Sequence, residues 1–263
     1  MDCTSVYCLM LYCLAACCII MVFVWLWSYK IKNAGVVDIF WSYNFPVIAF
    51  ILLMLAPGFE IRKLLIGSMV VIAGVRLGTH LAVRVLSHLH EEEPRYAHIR
   101  KEWGDGAEIK MFGFFQLQAV SNVLLALPFF IICMNTAPQL SVVEYAGAAL
   151  WLVSVLGEAI ADAQLAAFKK SPVNKGKVCE SGLWASSRHP NYFFEWLMWV
   201  SYFVFALGSP YGYIAIISPL IILYLLLKVT GIPTTEQQSL RSKGEAFKKY
   251  QQRVSVFVPW FRK

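Results

Sequence analysis

The sequence predicts an all-α, polytopic membrane protein, a bundle of seven transmembrane helices, and three observations carry that prediction. Of the 263 residues 59% are hydrophobic and only 15% charged, where a soluble domain carries roughly 25% charged residues. Apolar runs near twenty residues long recur along the chain, which is the length a helix needs to cross hydrocarbon. The runs are continuous rather than alternating, and only helices or closed barrels satisfy the backbone in lipid, so the spans read as helices.

The spans fall at 5–29, 36–56, 62–87, 112–134, 141–168, 191–209 and 212–231. Positive charge orients them. Twenty of the 23 Lys and Arg fall in segments on one side, leaving Arg62, Lys63 and Arg76. This places the N-terminus outside and the C-terminus in the cytoplasm. The net charge of +7 is thereby explained by topology, which removes nucleic acid as an expected partner. The start, Met1-Asp-Cys-Thr, lacks the basic region of a secretory signal, so no cleavage is expected. One domain is expected over 1–263, read in two parts, 1–111 and 112–263.

Taken in order, the first span holds or borders Cys3, Cys8, Cys13, Cys17 and Cys18, while Cys133 and Cys179 stand alone. No spacing pairs them as metal ligands, and packing or lipid-facing cysteine is the expectation. The second span carries Asp38, Trp41, Tyr43 and Asn44 ahead of Pro46. On the third, Arg76, His80 and Arg84 recur at i, i+4, i+8 and form one polar stripe expected to face inward. Glu91, Glu92, Glu93, Pro94, Arg95 and Tyr96 follow at the inner edge.

The fifth span places Glu158, Asp162 and Gln164 in an otherwise apolar helix, with Lys169 and Lys170 at its inner end. Glu158 and Asp162 are i, i+4 and share a face. Such carboxylates accept hydrogen bonds from ribose hydroxyls or an adenine amino group, and a structural ion-pair network is the alternative. The basic loop 169–177 fits ordinary inside charge and also the clamping of phosphates, for which Arg188 offers a bidentate partner. Pro190 starts the sixth helix at no hydrogen-bond cost. Asn191 and Glu195 then share a face, and Asn offers the donor and acceptor that match a carboxamide; a cap is the plainer role. Polar groups of this kind at the end of a membrane helix mark a functional site. In the tail, Thr235–Arg253 reads as a surface helix whose Leu240, Phe247 and Tyr250 share a face, and Phe257-Val-Pro-Trp-Phe261 reads as an interfacial anchor.

Several of these pieces resemble one family. Glu158-x-x-x-Asp162 with Lys169, the Gly182-Leu-Trp184 and Asn191-Tyr-Phe-x-Glu195 block, and Gly231-Ile-Pro233…Leu240-Arg241…Tyr250 are similar, over roughly 145–263, to the bacterial branch of the steroid 5α-reductase family. The resemblance implies a seven-helix bundle holding NADPH between its later helices and the cytoplasmic loops, in a bacterial inner membrane with the cofactor site facing the cytoplasm. It implies cofactor contacts for Asn191, Glu195, Asp162 and Lys169, and the expected set extends to Glu158, Lys170, Arg188, His189, Tyr192, Trp184 and Arg241. The expected reaction is hydride addition to the C=C bond of a lipophilic enone, most simply a 3-oxo-Δ4 steroid drawn from the bilayer. The animal enzymes hold the enone carbonyl with a Gln-Glu pair on the second helix and a Tyr on the third. This chain reads Tyr43-Asn-Phe-Pro46 and His80 with Arg84 there. Candidate donors are therefore His80, Tyr43 and Tyr96, oriented by Asp38 or Glu93, with Trp41, Asn44 and Arg84 toward the substrate. Isoprenylcysteine carboxyl methyltransferases, which use S-adenosylmethionine, share Arg188-His-Pro190 and Tyr192. Asn191 with Glu195, the carboxylates of the preceding helix and the surplus of basic residues favour the reductase.

Overall fold

The structure, a computed structural model, describes residues 5–261; Met1 to Thr4, and so the reading of Cys3, lie outside the described residues, as do Arg262 and Lys263. Eleven α-helices run through the described residues, joined by short 3₁₀ turns and one π turn, and no strand is present among them. The helices group into two compact units.

The first unit covers residues up to Leu140, with Gly208–Gly212. Its helices are α1 (Val6–Ile31), α2 (Val36–Leu55), α3 (Glu60–Leu86), the short α4 (Pro94–Trp103), α5 (Ala107–Leu125) and α6 (Leu127–Met134). Helices α2 and α3 pack closely because α3 presents glycine. A β-carbon at Gly74 would lie 2.6 Å from the Pro46 ring, and one at Gly78 would lie 2.8 Å from the Tyr43 ring. Burial follows the same face, with Val70, Ala73, Gly74 and Gly78 inside. Arg76 and His80 each stand two residues past one of these glycines, about 200° round the helix. The expected inward stripe is thus corrected for His80, which is exposed.

Two cations of this unit are spent on backbone carbonyls. Arg62, 1% exposed, donates from Nη1 to Asn135 O and Ala137 O at 2.9 and 2.8 Å and from Nη2 to Gln139 O at 2.6 Å. Lys63 Nζ donates to Leu53 O and Ala56 O, both at 3.0 Å, closing the end of α2. A buried cation is tolerated where oxygen partners surround it.

The second unit covers Ser141–Leu207 and Tyr213 onward. It contains α7 (Val142–Lys170), α8 (Pro190–Ala206), α9 (Ile217–Tyr224), α10 (Ile232–Lys243) and α11 (Glu245–Arg253). A capping box starts α7, with Glu144 N donating to Ser141 Oγ and Ser141 N to Glu144 Oε2. The tail expected as one helix is two, broken at Gly244, whose φ of +52° suits glycine. Leu240, Phe247 and Tyr250 do share one apolar cluster, with Val178 and Val254.

Among the described residues, α1, α2, α3, α7 and the helical run Gly212–Lys243 are long and apolar enough to cross a membrane. The pair α5–α6, bent by 40° ahead of Pro128, makes six if counted as one span. The chain is an integral membrane protein. Helix α8 has 17 residues, about 25 Å of helix at 1.5 Å per residue.

Candidate functional site

The candidate site is built on the antiparallel pair α7 and α8. Three contacts fix its register. Gly147 meets Phe205, where a β-carbon would lie 2.6 Å from the Phe205 nitrogen. Trp151 Nε1 donates to Tyr202 Oη at 3.1 Å, and Asn191 Nδ2 donates to Asp162 Oδ1 at 3.1 Å. Each step along one helix is matched by an opposite step on the other, so the same register sets Glu158 level with Glu195. The two i, i+4 pairs read from the sequence, Glu158/Asp162 and Asn191/Glu195, therefore face one another. Trp199 Nε1 donates to Glu195 Oε1 at 3.1 Å, and Glu158 is 5% exposed. With its Nδ2 given to Asp162, Asn191 keeps a carbonyl oxygen with no partner among the described residues, while Asp162, half-buried, accepts on the same side.

The segment before α8 folds back onto α7. Gly182, at φ +60°, leaves no room for a side chain, since a β-carbon would lie 2.4 Å from Gln164 Oε1. That oxygen accepts from Leu183 N at 2.9 Å, and Trp184 Nε1 donates to Ala161 O at 2.9 Å. Trp184 is buried; its indole N–H is used to hold the turn.

Arg188 is also held internally. Its Nε donates to Glu236 Oε1 at 2.7 Å, and its Nη1 donates to Gln251 O and Val254 O. Glu236 further receives Gln251 Nε2 at 2.8 Å and faces His189 Nε2 at 3.2 Å. The His189 ring stacks on Tyr192 at 5.5 Å, and Tyr192 Oη pairs with Thr235 Oγ1 at 3.1 Å. The expectation that Arg188 holds phosphate as a bidentate donor meets a side chain already committed to α10 and the tail. Lys169, Lys170 and Arg241 are exposed, and Lys169 lies near Lys243, so exposed positive charge gathers at the C-terminal end of α7 and on α10.

In the first unit, a separate cluster gathers several of the expected catalytic residues. Tyr96, fully buried, donates to Asp38 Oδ1 at 2.7 Å, and Arg95 Nη2 donates to the same carboxylate at 3.1 Å and to the Tyr96 hydroxyl. Arg84 pairs with Glu93 at 2.8 Å and lies 4.0 Å from Asp38. Burial and the adjacent Asp38 charge push the Tyr96 phenol well above its ordinary value, against the pull of Arg95. The phenol thus keeps its proton and directs it to Asp38. Tyr43 Oη pairs with Thr79 Oγ1 at 3.2 Å, and His80 stands outside the cluster. Trp41 and Asn44, expected toward substrate, turn to α5. Trp41 Nε1 donates to Ser121 Oγ, Asn44 Nδ2 to Asn122 Oδ1, and Asn122 returns a bond to Trp41 O.

A family model matches residues 24–254 of this sequence, nearly the whole chain. The chain belongs to the family described as "Protein of unknown function (DUF1295)". No curated protein and no solved structure matches it.

In this DUF1295 chain the sequence reading missed Glu236 altogether, and it named Tyr250 and Arg95 without the contacts they make. Glu236 gathers Arg188, His189 and Gln251. Tyr250 Oη donates to Trp184 O and Ser187 O, which ties α11 to the turn. Arg95 supplies the guanidinium of the Asp38 cluster. Glu236 carried one signal: it is an isolated acid just after Pro233 in a tail dominated by Lys and Arg.

Proposed function

We propose that this chain is a membrane-embedded, NADPH-dependent reductase that saturates the C=C bond of a lipophilic α,β-unsaturated ketone, a 3-oxo-Δ4 steroid or a related lipid enone, in the manner of the steroid 5α-reductases it resembles. The observation that carries this reading is the Asp162–Asn191 pair at 3.1 Å, with Glu158 and Glu195 one turn further along the same two helices. A primary carboxamide needs an acceptor for its N–H and a donor for its oxygen, and an amide beside a carboxylate offers that recognition in a setting poor in water. The open Asn191 oxygen fits this requirement.

NADPH, when bound, supplies the hydride. The chain supplies the rest. Asn191 and Asp162 orient the carboxamide, with Glu195 fixed behind them by Trp199. Lys169, Lys170 and Arg241 are available to phosphates. Arg188 acts by holding α10 and the tail in place. A donor aimed at the substrate carbonyl stabilises the charge that builds there as the bond is reduced. Of the expected donors, Tyr96 is already committed to Asp38. In this reading α8 also crosses the bilayer beside α7, giving seven crossings, an external N-terminus and a cytoplasmic C-terminus; its length of about 25 Å lies at the short end of spanning helices.

Thermal unfolding of the detergent-solubilised protein with NADPH, NADH or S-adenosylmethionine tests the proposal, because a ligand that binds only the folded state raises the midpoint. NADPH should raise it, and Asn191→Ala should weaken NADPH binding about tenfold, roughly 1.4 kcal/mol. A rise with S-adenosylmethionine alone would replace the reductase by a methyltransferase.

A further inference from the structure

The last stretch of the described chain, Val254–Phe261, is a non-helical strap that bends at residues 254 and 256–258. Its position is set by hydrogen bonds to the turn before α8. Arg188 N donates to Ser255 O at 2.8 Å, Ser187 Oγ to Phe257 O at 2.7 Å, and Trp260 N to Ser186 O at 2.9 Å.

Its depth is set by Phe257. That ring packs against Phe193 and Trp196, with centroids 5.7 and 5.8 Å away. Both partners lie in the first two turns of α8, and the register sets them level with the Gly157–Ile160 stretch of α7. Helix α7 is one of the helices able to cross the membrane, and its charged end, Lys169 and Lys170, comes two turns later. The middle of the strap therefore lies on the apolar side of that charged end.

The strap is apolar on both sides. Val254 and Phe257 are buried against the second unit, whereas Val256 is 40%, Val258 50%, Trp260 67% and Phe261 87% exposed. A groove of about 500 Å³, lined by Ala185, Ser186, Pro259, Trp260 and Phe261, adjoins the exposed face. Lys248, Lys249 and Arg253 precede the strap, and Arg262 and Lys263 follow it in the sequence. Removing these exposed apolar surfaces from water is favourable. Trp and Phe with flanking cations form the composition that settles at the boundary between headgroups and acyl chains.

We infer that Val254–Phe261 is a lipid-docking strap: Val256, Val258, Trp260 and Phe261 seat in the headgroup–acyl boundary of the leaflet at the Lys169 end of α7, with the exposed Lys249 toward lipid phosphates. The inference is independent of the reductase reading, since it concerns how the turn before α8 is held rather than what that turn binds.

The test places the full chain in nanodiscs of phosphatidylcholine brominated either high on the acyl chains or near their ends. Trp260→Phe, a mild change at an exposed position, isolates the emission of Trp260 by difference. The Trp260 component should be blue-shifted and quenched about twofold more by lipid brominated high on the chain than near its end, as expected of an interfacial indole. Emission at the wavelength of hydrated indole, with free quenching by aqueous iodide, would overturn the inference. So would a blue-shifted component that ignores brominated lipid and depends on the number of chains per disc, which would assign the face to a second copy. Replacing Val258 by Asp supplies an independent variant: the Trp260 component should move toward the hydrated wavelength, and an unchanged spectrum would also count against docking.

Discussion

Glu236 shows how much one carboxylate can hold. It receives Arg188 and Gln251 and faces His189, so its loss leaves a largely buried guanidinium without its counter-ion. Breaking such a pair from one side costs about 3 kcal/mol or more. Glu236→Ala should lower the thermal midpoint in detergent accordingly, and Glu236→Gln should recover part of the loss by keeping an acceptor for Arg188; equal midpoints for Ala and wild type would reduce the cluster to a surface contact. Tyr96 makes a pH-dependent case. Its phenol is held neutral in the folded chain, while in the unfolded chain it ionises near its ordinary value. The folded and unfolded chains bind its proton equally below that value, so its full contribution is present there. Stability is then lost as pH rises through the ordinary tyrosine range toward the raised folded value. Tyr96→Phe should flatten the alkaline decline of the unfolding midpoint. A decline as steep as that of the wild type would assign it to other tyrosines.

At the scale of elements, α7 and α8 depend on small residues at their crossing. A leucine at Gly147 has nowhere to go, because the Phe205 backbone already stands where its β-carbon would be. Backbone cannot move aside as a flexible side chain can. Gly147→Leu should therefore abolish the monodisperse peak in size-exclusion chromatography, whereas a change at Gly113, which has open space around it, should pass unnoticed. The helices themselves were legible in the sequence, because lipid enforces long apolar runs and lipid-crossing segments cannot hide. The i, i+4 polar pairs were legible for the same reason, since carboxylates in an oily helix stand out. What stayed hidden were contacts made across long separations in sequence. Arg188 and Glu236 are 48 residues apart, and no local periodicity links them. The inward stripe misled at His80 because a period of four says which residues share a face but not which way it points. On α3 glycine, not the cations, marks the packed side.

For the whole molecule, topology is the quantity that matters most, and α8 decides it. If α8 crosses beside α7, then residues 175 and 211 lie on opposite sides of the membrane. In a chain whose native cysteines are replaced, Lys175→Cys and Tyr211→Cys should label from opposite faces with an impermeant maleimide. Labelling of both from one face would make α8 a re-entrant hairpin and remove one crossing. Either result leaves the α7–α8 contacts as they are, because the register is set by Gly147, Trp151 and Asp162 whatever the direction of the bilayer.

The grip of Arg62 on Asn135, Ala137 and Gln139 has a consequence for how this family can vary. All three acceptors are main-chain carbonyls, and a carbonyl is the same group whatever side chain it carries. The guanidinium therefore measures the loop by its path and is blind to its lettering. Substitutions at residues 136, 137 and 139 should drift freely where the path is kept; Asn135 should not, because its amide donates to Gly208 O and Ser209 Oγ and accepts from Ala137 N. A single insertion in this loop would shift every acceptor out of reach.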